Sequence, residues 1–215
     1  AAEGYEPERR GWDENTYRQK NQDTNNHYDF SRKHLNFEIN GKGEIVPLGS
    51  NPVPLHERLQ KRLDELGFKP YMDKNNPLGI SDNSPNCTVG IIVSGDHDVL
   101  TRLAFGDQDV DFTLQKCNAH VELKQGIRDW ALDTYRWACD RWGAENIIGF
   151  DVHLDETTPH IQIQTIPVAK TRTRGHASVK YVHKDDKSKV ISYKEWKKLP
   201  EEIRSNFIRT EAERR

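Results

Sequence analysis

The sequence predicts an α+β fold in which helices pack on an antiparallel β-sheet. Apolar residues at steps of three and four predict amphipathic helices at 54–66 and 123–142. Short β-branched stretches predict strands at 87–93, 146–153 and 160–168. The order hairpin, helix, strand, helix, strand, turn, strand favours one antiparallel sheet with helices over one face.

The remaining elements follow from local signals. Residues 36–46 read as a β-hairpin, with Asn40-Gly41 as its turn signal. Residues 68–86 are rich in Asn, Pro, Asp and Gly, which predicts a long loop, and a short helix is expected at 98–105. A late helix is expected from Tyr193 or Pro200 to the C-terminus.

The helix at 123–142 is the clearest in the chain. Its apolar residues form one broad stripe that includes Trp130, Trp137 and Trp142. We expect these three rings to pack in the core against the sheet rather than to stack on bases.

Composition limits the class of protein. The 215 residues are 34% hydrophobic and 31% charged, which predicts a soluble protein with one substantial domain or one domain plus an extension. We assign 1–168 to the main domain and 169–215 to a basic extension of it. No apolar run has the length of a membrane span, and three scattered cysteines without a CxxC pair indicate a reducing cytoplasm.

Two histidines bracket a predicted turn between the last two predicted strands. His153 ends one strand, residues 155–159 supply the turn, and His160 begins the next strand. Because residues two apart share a face of a strand, His160 and Gln162 point to the same side. Two imidazoles and an amide oxygen suit a divalent cation such as Mn²⁺ or Mg²⁺. A polar hairpin with solvated histidines is the alternative.

A basic segment follows the second of these strands. The whole chain has a formal charge of −2, but residues 170–198 hold ten lysines and arginines against three acids, with aromatic residues among them. Basic residues interleaved with aromatics are typical of surfaces that follow phosphates and stack bases. We expect DNA contacts here, at Lys170, Arg172, Arg174 and Lys180; a solvated charged tail is the alternative.

Two segments resemble one protein family. Residues 153–160, His-Leu-Asp-Glu-Thr-Thr-Pro-His, resemble the metal motif of the Mob/Pre plasmid mobilisation proteins, the MobV group of HUH relaxases. Upstream, residues 31–39, Ser-Arg-Lys-His-Leu-Asn-Phe-Glu-Ile, resemble the family segment Ser-Arg-x-His-Leu-Asn-Tyr-Glu-Leu. The two segments occur in the expected order, and the resemblance spans roughly Asn15 to Val168.

The resemblance implies a fold and an activity. HUH relaxases have an antiparallel sheet whose central strands present the metal ligands. They nick and rejoin one strand of single-stranded or hairpin DNA at an origin of transfer, through a covalent 5′-phosphoryl link to a side chain and a free 3′-hydroxyl. Other mobilisation or conjugation proteins are expected partners, and a membrane is not.

The resemblance also implies roles for residues near the turn. His153 and His160 are expected metal ligands, and Gln162 stands where the family has a third histidine. Glu156 is expected beside the ligands or paired with an arginine, for which Arg18 and Arg32 are the candidates; either arginine would also suit a DNA phosphate. Asp155 is expected to cap the turn.

The nucleophile is where the chain departs most from the family. Counted back from Ser31, the family's His-Asn-x-Arg motif falls on residues 15–18, Asn-Thr-Tyr-Arg, where only the arginine matches. Tyr17 is then a candidate catalytic nucleophile and His27 a second, while another tyrosine or a lost activity stays open. Residues 1–10 also lack the short apolar strand with which family members begin.

Two other functions fit parts of the pattern. One is a rolling-circle replication initiator or transposase of HUH type, which the upstream segment disfavours. The other is a non-catalytic DNA-binding relative, which the substituted third ligand and the missing histidine nucleophile keep open.

Overall fold

A five-stranded antiparallel sheet forms the frame of the larger part of the chain. The structure is a computed structural model, and it describes residues 6–24, 27–71, 74–75, 84, 86–168 and 180–210. Contacts divide the chain into two compact units, Ala1–Val168 (unit 1) and Ala169–Arg215 (unit 2). Within the described ranges, no helix is both long and apolar enough to cross a membrane.

The described part of unit 1 contains both helices and strands. The helices are α1 (Glu14–Thr24), α2 (Leu55–Glu65), α3 (His97–Phe105) and α4 (Gln125–Trp142), with a 3₁₀ turn at Phe30–Leu35. The strands are β1 (Phe37–Ile39), β2 (Ile45–Pro47), β3 (Val89–Val93), β4 (Ile147–His153) and β5 (His160–Thr165).

The sheet has the strand order β2-β1-β4-β5-β3, and every neighbouring pair is antiparallel. The predicted α+β class is confirmed. Strands β4 and β5 lie side by side inside the sheet, and their register pairs His153 with His160 and Asp151 with Gln162. The predicted turn between them therefore brings the two histidines opposite each other.

The two faces of the sheet have different characters. Phe150 and Val152 from β4 and Ile161 and Ile163 from β5 are buried in one core with residues of α3 and α4. Since side chains alternate along a strand, their neighbours Asp151, His153, His160 and Gln162 lie on the opposite, polar face.

Helix α2 covers part of the polar face. It crosses β4 at Gly149, where an added Cβ would lie 2.7 Å from Cδ1 of Leu55. The glycine therefore allows the helix and the strand to pack closely without a shift of Leu55. A small second core of Leu55, Leu63, Ile148 and Ile166 forms at this crossing.

Three local expectations need correction or completion. Trp137 is 49% exposed, so it lies outside the core, where its ring meets that of Trp142 edge to face at 5.2 Å. Helix α1 was not predicted, because its residues lack an apolar stripe and only Tyr17 is buried. The loop predicted at 68–86 falls mostly outside the described residues.

Unit 2 has a small antiparallel sheet of its own. Its strands β6 (Lys180–His183), β7 (Val190–Ser192) and β8 (Phe207–Thr210) have the order β7-β6-β8, with short helices α5 (Tyr193–Lys198) and α6 (Glu201–Arg204) before the last strand. The predicted helix to the C-terminus is wrong. Pro200 interrupts it, and the chain then pairs with β6 as β8, where Phe207 packs edge to face against His183 at 5.1 Å.

Candidate metal centre

Two imidazoles meet at the end of strands β4 and β5. Nδ1 of His153 lies 3.2 Å from Nε2 of His160. The ring of His153 is fully buried, whereas His160 is partly open to a cavity. This convergence follows from the strand register, since each histidine is the cross-strand partner of the other.

The other nitrogen of each ring is held by a main-chain carbonyl. Nε2 of His153 lies 2.7 Å from the oxygen of Pro7, and Nδ1 of His160 lies 3.1 Å from the oxygen of Thr158. Because a carbonyl oxygen only accepts, both of these nitrogens donate. When both rings are neutral, the two nitrogens that face each other therefore carry lone pairs, the form in which imidazole binds a metal.

Charge and burial keep His153 neutral. Burial, together with the nearby charge of Arg9, lowers the pKa of His153 to about 3. Two lone pairs that face each other across 3.2 Å without a shared proton repel one another, and a cation between them removes that repulsion.

A carboxylate completes the cluster. Oε1 of Glu156 lies 3.6 Å from Nδ1 of His153 and 3.7 Å from Nε2 of His160. The three atoms lie within 4.8 Å of one another, so a cation at ligand distances of roughly 2.0–2.3 Å fits among them. One oxygen and two nitrogens suit a cation of intermediate hardness.

Gln162 lies at the edge of this cluster. Its Nε2 is 3.4 Å from Nε2 of His160. A rotation of the amide by half a turn about its last bond brings the oxygen to that position, where it can serve as a ligand. The structure thus gathers His153, His160 and Gln162 on one face, and it adds Glu156 as a direct candidate ligand.

Arg9 is the residue that the sequence did not reveal. Its guanidinium pairs with Glu156 and lies 3.4 Å from Asp155, while the rings of Trp12 and Tyr28 lie 4.6 and 4.7 Å from it. Arg9 is 3% exposed and has φ of 47°, an uncommon conformation for a residue with a side chain. Its partners are 146 and 147 residues away in sequence, so no local periodicity marks it.

Arg9 and burial shift the pKa values of Asp155 and Glu156 in opposite directions. Burial raises the pKa of Glu156, while His160 and Arg9 limit the rise. Burial alone would raise the pKa of Asp155, but the charge of Arg9 keeps it below its ordinary value. Arg9 therefore favours the ionised forms of both carboxylates.

The upstream segment, residues 31–39, holds the turn through hydrogen bonds to its main chain. Arg32 donates to the main-chain oxygens of Leu154 at 2.7 Å and Glu156 at 3.1 Å, and Oδ1 of Asn36 accepts from the amide of Leu154 at 2.7 Å. Arg32 is fully buried and also pairs with Asp29. This burial disfavours the expected contact of Arg32 with DNA, because its guanidinium does not reach the surface.

Tyr17 lies close to the candidate metal ligands, but its side chain is buried and its hydroxyl does not face them. The side chain is 1% exposed, its hydroxyl donates to Asp155, and it packs with Trp12 and Tyr28. Burial and the Asp155 carboxylate raise the pKa of the phenol above its ordinary value. Both effects hold the hydroxyl neutral and engaged, which disfavours attack on a phosphate.

His27 and Arg18 lie in different places. His27 is exposed and lines a cavity of about 690 Å³ together with Glu156, His160 and Gln162. Arg18 is exposed on α1 and pairs with Glu14 at 3.6 Å, so Arg9 and not Arg18 is the partner of Glu156.

The expected DNA contacts of the basic segment are only partly described. Lys180 is exposed at the start of β6. Lys170, Arg172 and Arg174 lie outside the described residues.

Comparison with known proteins bears on this site. Residues 111–207 match a protein family model, Mob_Pre, described as plasmid recombination enzyme, and the match includes the whole turn from His153 to His160. Residues 111–207, somewhat less than half of the chain, are therefore similar to the Mob/Pre family. The predicted resemblance to the Mob/Pre proteins is thus confirmed over residues 111–207.

Solved structures of one Mob/Pre protein align with the chain. A MobM relaxase domain (MOBV; Mob_Pre) bound to plasmid pMV158 oriT DNA, in a Mn-bound crystal structure at pH 6.8, is 17% identical with a TM-score of 0.49. That alignment covers 78% of this chain and 64% of MobM, so this chain spans just under two thirds of that domain. A second MobM structure, at pH 5.5, is 18% identical with a TM-score of 0.44 and coverages of 75% and 66%. No curated protein matched the chain.

Proposed function

We propose that the chain is a relaxase of the Mob/Pre type, which nicks and rejoins one strand of DNA at an origin of transfer. The observation that carries the proposal is the convergence of His153 Nδ1, His160 Nε2 and Glu156 Oε1 on one point. The match of residues 111–207 to the Mob/Pre family supports it. The proposal assigns to this chain the kind of metal and DNA that the MobM structures contain.

His153, Glu156 and His160 would hold a Mn²⁺ or Mg²⁺ ion, with Gln162 as a fourth ligand through its oxygen. When bound, the cation supplies positive charge that stabilises the pentacovalent phosphate of the transition state. The protein orients the ligands beforehand, because Pro7 and Thr158 fix the two rings and Arg9 fixes the carboxylate.

His27 is the nucleophile that the geometry favours over Tyr17. Its ring lines the cavity that holds His160 and Glu156, whereas the Tyr17 hydroxyl is engaged with Asp155. In the proposed step a ring nitrogen of His27 forms a bond to phosphorus as the bond to the 3′-oxygen breaks. The ring, now cationic, gives its N–H proton to solvent water, a proton from that water passes to the 3′-oxygen, and the 5′-phosphoryl group stays on the neutral ring of His27. Attack by a 3′-hydroxyl on the same phosphorus reverses the step and rejoins the strand.

Tyr17 is assigned a positioning role instead. Its hydroxyl donates a hydrogen bond to Asp155, and Asp155 forms an ion pair with Arg9. The phenol thus helps to position Arg9, which pairs with Glu156. In such a chain of buried hydrogen bonds, the loss of one member misplaces the next.

Unit 2 is proposed to contact the DNA flanking the nick. The segment 170–198 has a local charge of +7, and on the described part Tyr181 and Trp196 stack at 4.4 Å with Tyr193 half exposed beside them. Replacing several of its lysines, Lys180 included, should flatten the dependence of binding on salt by about 0.7 to 0.9 log–log units per lost phosphate contact. An unchanged slope would remove this role. A cytoplasmic location and the participation of other mobilisation proteins stay predictions.

Nicking of a plasmid tests the proposal. The substrate is a supercoiled plasmid that carries the DNA flanking this chain's own gene, incubated with Mn²⁺. We expect open circles and a protein–DNA adduct that survives denaturing electrophoresis. His160→Ala should abolish both and leave DNA binding in place, because the metal acts on the transition state.

Arg136→Gln is the matched control, since Arg136 is exposed on α4 and pairs with the equally exposed Asp133. It should nick like the wild type. Nicking that persists in His160→Ala would contradict the proposed site, and DNA binding without nicking by the wild type would leave a non-catalytic DNA-binding relative.

A further inference from the structure

The two imidazoles of the candidate metal centre are anchored differently. The ring of His153 is fully buried, and Arg32 and Asn36 hold the main chain next to it through Leu154. His160 is instead partly open to the cavity of about 690 Å³, and Nδ1 of its ring donates to the main-chain oxygen of Thr158 at 3.1 Å. The orientation of His160 therefore depends on how Thr158 is held.

The side chain of Thr158 is held by a residue outside the turn. Its hydroxyl lies 3.2 Å from Nδ1 of His97, at hydrogen-bond distance. Because a hydroxyl both donates and accepts, the bond forms with either tautomer of the neutral His97 ring. One threonine thus links two histidines that are 63 positions apart, since its hydroxyl bonds His97 and its carbonyl bonds His160.

His97 lies on a firmly anchored element. It is the first residue of α3, and the side chain of Asp96 caps the N-terminus of this helix. Ala104 and Phe105, at the other end of α3, are fully buried in the main core. The ring of Phe112 packs edge to face against the ring of His97 at 5.0 Å. The His97 ring therefore gives Thr158 a fixed hydrogen-bond partner.

We propose that His97 is a positioning residue of the metal centre, which holds the Thr158 carbonyl that orients His160. The inference rests on the proposed function, because that function makes His160 a metal ligand. Groups that hold a metal-bound histidine fix its tautomer and ring orientation, and their loss typically lowers metal affinity about 10- to 100-fold. His97 acts one hydrogen bond further out, so its loss should lower Mn²⁺ affinity by roughly tenfold, the lower end of that range.

Two substitutions of His97 separate the hydrogen bond from packing. His97→Phe keeps a ring against Phe112 and removes the nitrogen that bonds Thr158. His97→Asn removes the ring, but its amide can place a polar atom where Nδ1 lies. We expect His97→Phe to lower Mn²⁺ affinity roughly tenfold and His97→Asn to stay close to the wild type. The reverse order would mean that His97 acts by packing alone, and would overturn the proposal.

Thr158→Val tests the link itself. Valine keeps the main-chain carbonyl and the branched shape of threonine and removes only the hydroxyl. Its Mn²⁺ affinity should fall as in His97→Phe. The double variant should lose no more than either single variant, because both substitutions remove the same hydrogen bond. Losses that add up would show that the two side chains act independently, and would contradict the link.

The effect of His97 should also depend on His160. In a His160→Ala background, His97→Phe should leave the remaining Mn²⁺ affinity unchanged, because the ring that it positions is absent. In a His153→Ala background it should still weaken binding and reduce the remaining ¹⁴N coupling in the electron spin echo. A general loosening of the fold would weaken binding in both backgrounds, which would overturn the proposal. His56→Phe, the same change at an exposed histidine of α2, is the control and should bind Mn²⁺ like the wild type.

The outcomes distinguish this inference from the proposed function. Electron paramagnetic resonance of free Mn²⁺ gives the affinity of the purified protein without DNA, so the result does not depend on cleavage. Wild-type affinity in His97→Phe would overturn the role of His97 even if the protein nicks DNA, and so would a wild type that binds no Mn²⁺. Affinity that depends on His97, in a protein that fails to nick, would leave the positioning role standing and remove the proposed cleavage.

Discussion

The guanidinium of Arg32 donates a hydrogen bond of 2.7 Å to the main-chain oxygen of Leu154. This bond joins the two segments that resemble the Mob/Pre family, since Arg32 belongs to the upstream segment and Leu154 to the metal turn. A second bond to the oxygen of Glu156 and the pair with Asp29 complete the coordination of the guanidinium. Through Arg32 the upstream segment therefore holds the shape of the turn.

Arg32→Gln should destabilise the fold strongly. The change leaves the buried Asp29 carboxylate without its cation and two main-chain oxygens without donors. Removing one partner of a buried ion pair costs about 3–5 kcal/mol. Urea unfolding measures the loss, with Arg136→Gln as the exposed control that should stay within about 0.5 kcal/mol of the wild type. Equal stability of the two variants would disprove the supporting role.

Tyr17→Phe should keep the covalent protein–DNA adduct, whereas His27→Ala should lose it. The phenylalanine retains the ring that packs with Trp12 and Tyr28 and removes only the hydroxyl bound to Asp155. The loss of a hydrogen bond to a buried carboxylate should lower stability by about 1–3 kcal/mol. Denaturing gels detect the adduct, and an adduct lost in Tyr17→Phe but kept in His27→Ala would reverse the assignment.

Asp151→Asn should change how stability depends on pH. Asp151 is buried on the polar face, none of the described residues donates a hydrogen bond to its carboxyl group, and burial together with Glu38 raises its pKa from 3.8 to about 8. The folded state thus binds this proton more tightly than the unfolded state. The stabilising effect is complete below about pH 4 and is lost as the pH rises toward 8.

Asparagine keeps the neutral shape at every pH, so Asp151→Asn should be the more stable protein near pH 8. The advantage should shrink by up to about 1.4 kcal/mol per pH unit on acidification, until it no longer changes below pH 4. Urea unfolding in EDTA across this range measures it, with exposed Asp133→Asn as the control. Parallel curves for wild type and Asp151→Asn would show that Asp151 is ionised in the fold.

Gln162→His should tighten the binding of Zn²⁺ by roughly tenfold or more, with a smaller effect on Mg²⁺. An imidazole then replaces an amide oxygen beside His160, and softer metals prefer nitrogen. Competition with a chromogenic chelator measures the affinity. Gln164→His is the control, because Gln164 lies two residues further along β5, on the same face of the strand. Equal gains in both variants would mean that Gln162 is not at the centre.

The parts of the site that lie within one hairpin could be predicted from sequence. The period of two along β5 and the turn at 155–159 brought His153, His160 and Gln162 to one face, as the strand register now explains. Glu156 was expected near an arginine, but the wrong arginines were chosen. Arg18 and Arg32 were selected by their places in a motif, whereas burial and distance decide the pairing.

The parts that depend on distant contacts could not be predicted. Arg9 reaches the turn only because Trp12 and Tyr28 enclose its guanidinium, and nothing local to residues 6–12 marks that enclosure. The position of Tyr17 in the sequence made it a plausible nucleophile. Its burial against Asp155, which disfavours access of its hydroxyl to a phosphate, could not be read from the sequence. The prediction of a helix to the C-terminus was wrong for a related reason, since the pairing of β8 with β6 overrides helix propensity.

Binding of Mn²⁺ to the purified protein tests the metal centre most directly, because it requires no knowledge of the DNA sequence. Electron paramagnetic resonance counts the bound ions, and the modulation of the electron spin echo detects nitrogen ligands. We predict a single tightly bound Mn²⁺ with imidazole ¹⁴N coupling, which weakens in His153→Ala and in His160→Ala but not in the control His56→Ala, an exposed histidine on α2. Mn²⁺ bound without nitrogen coupling, or with coupling unchanged in both histidine variants, would contradict the account.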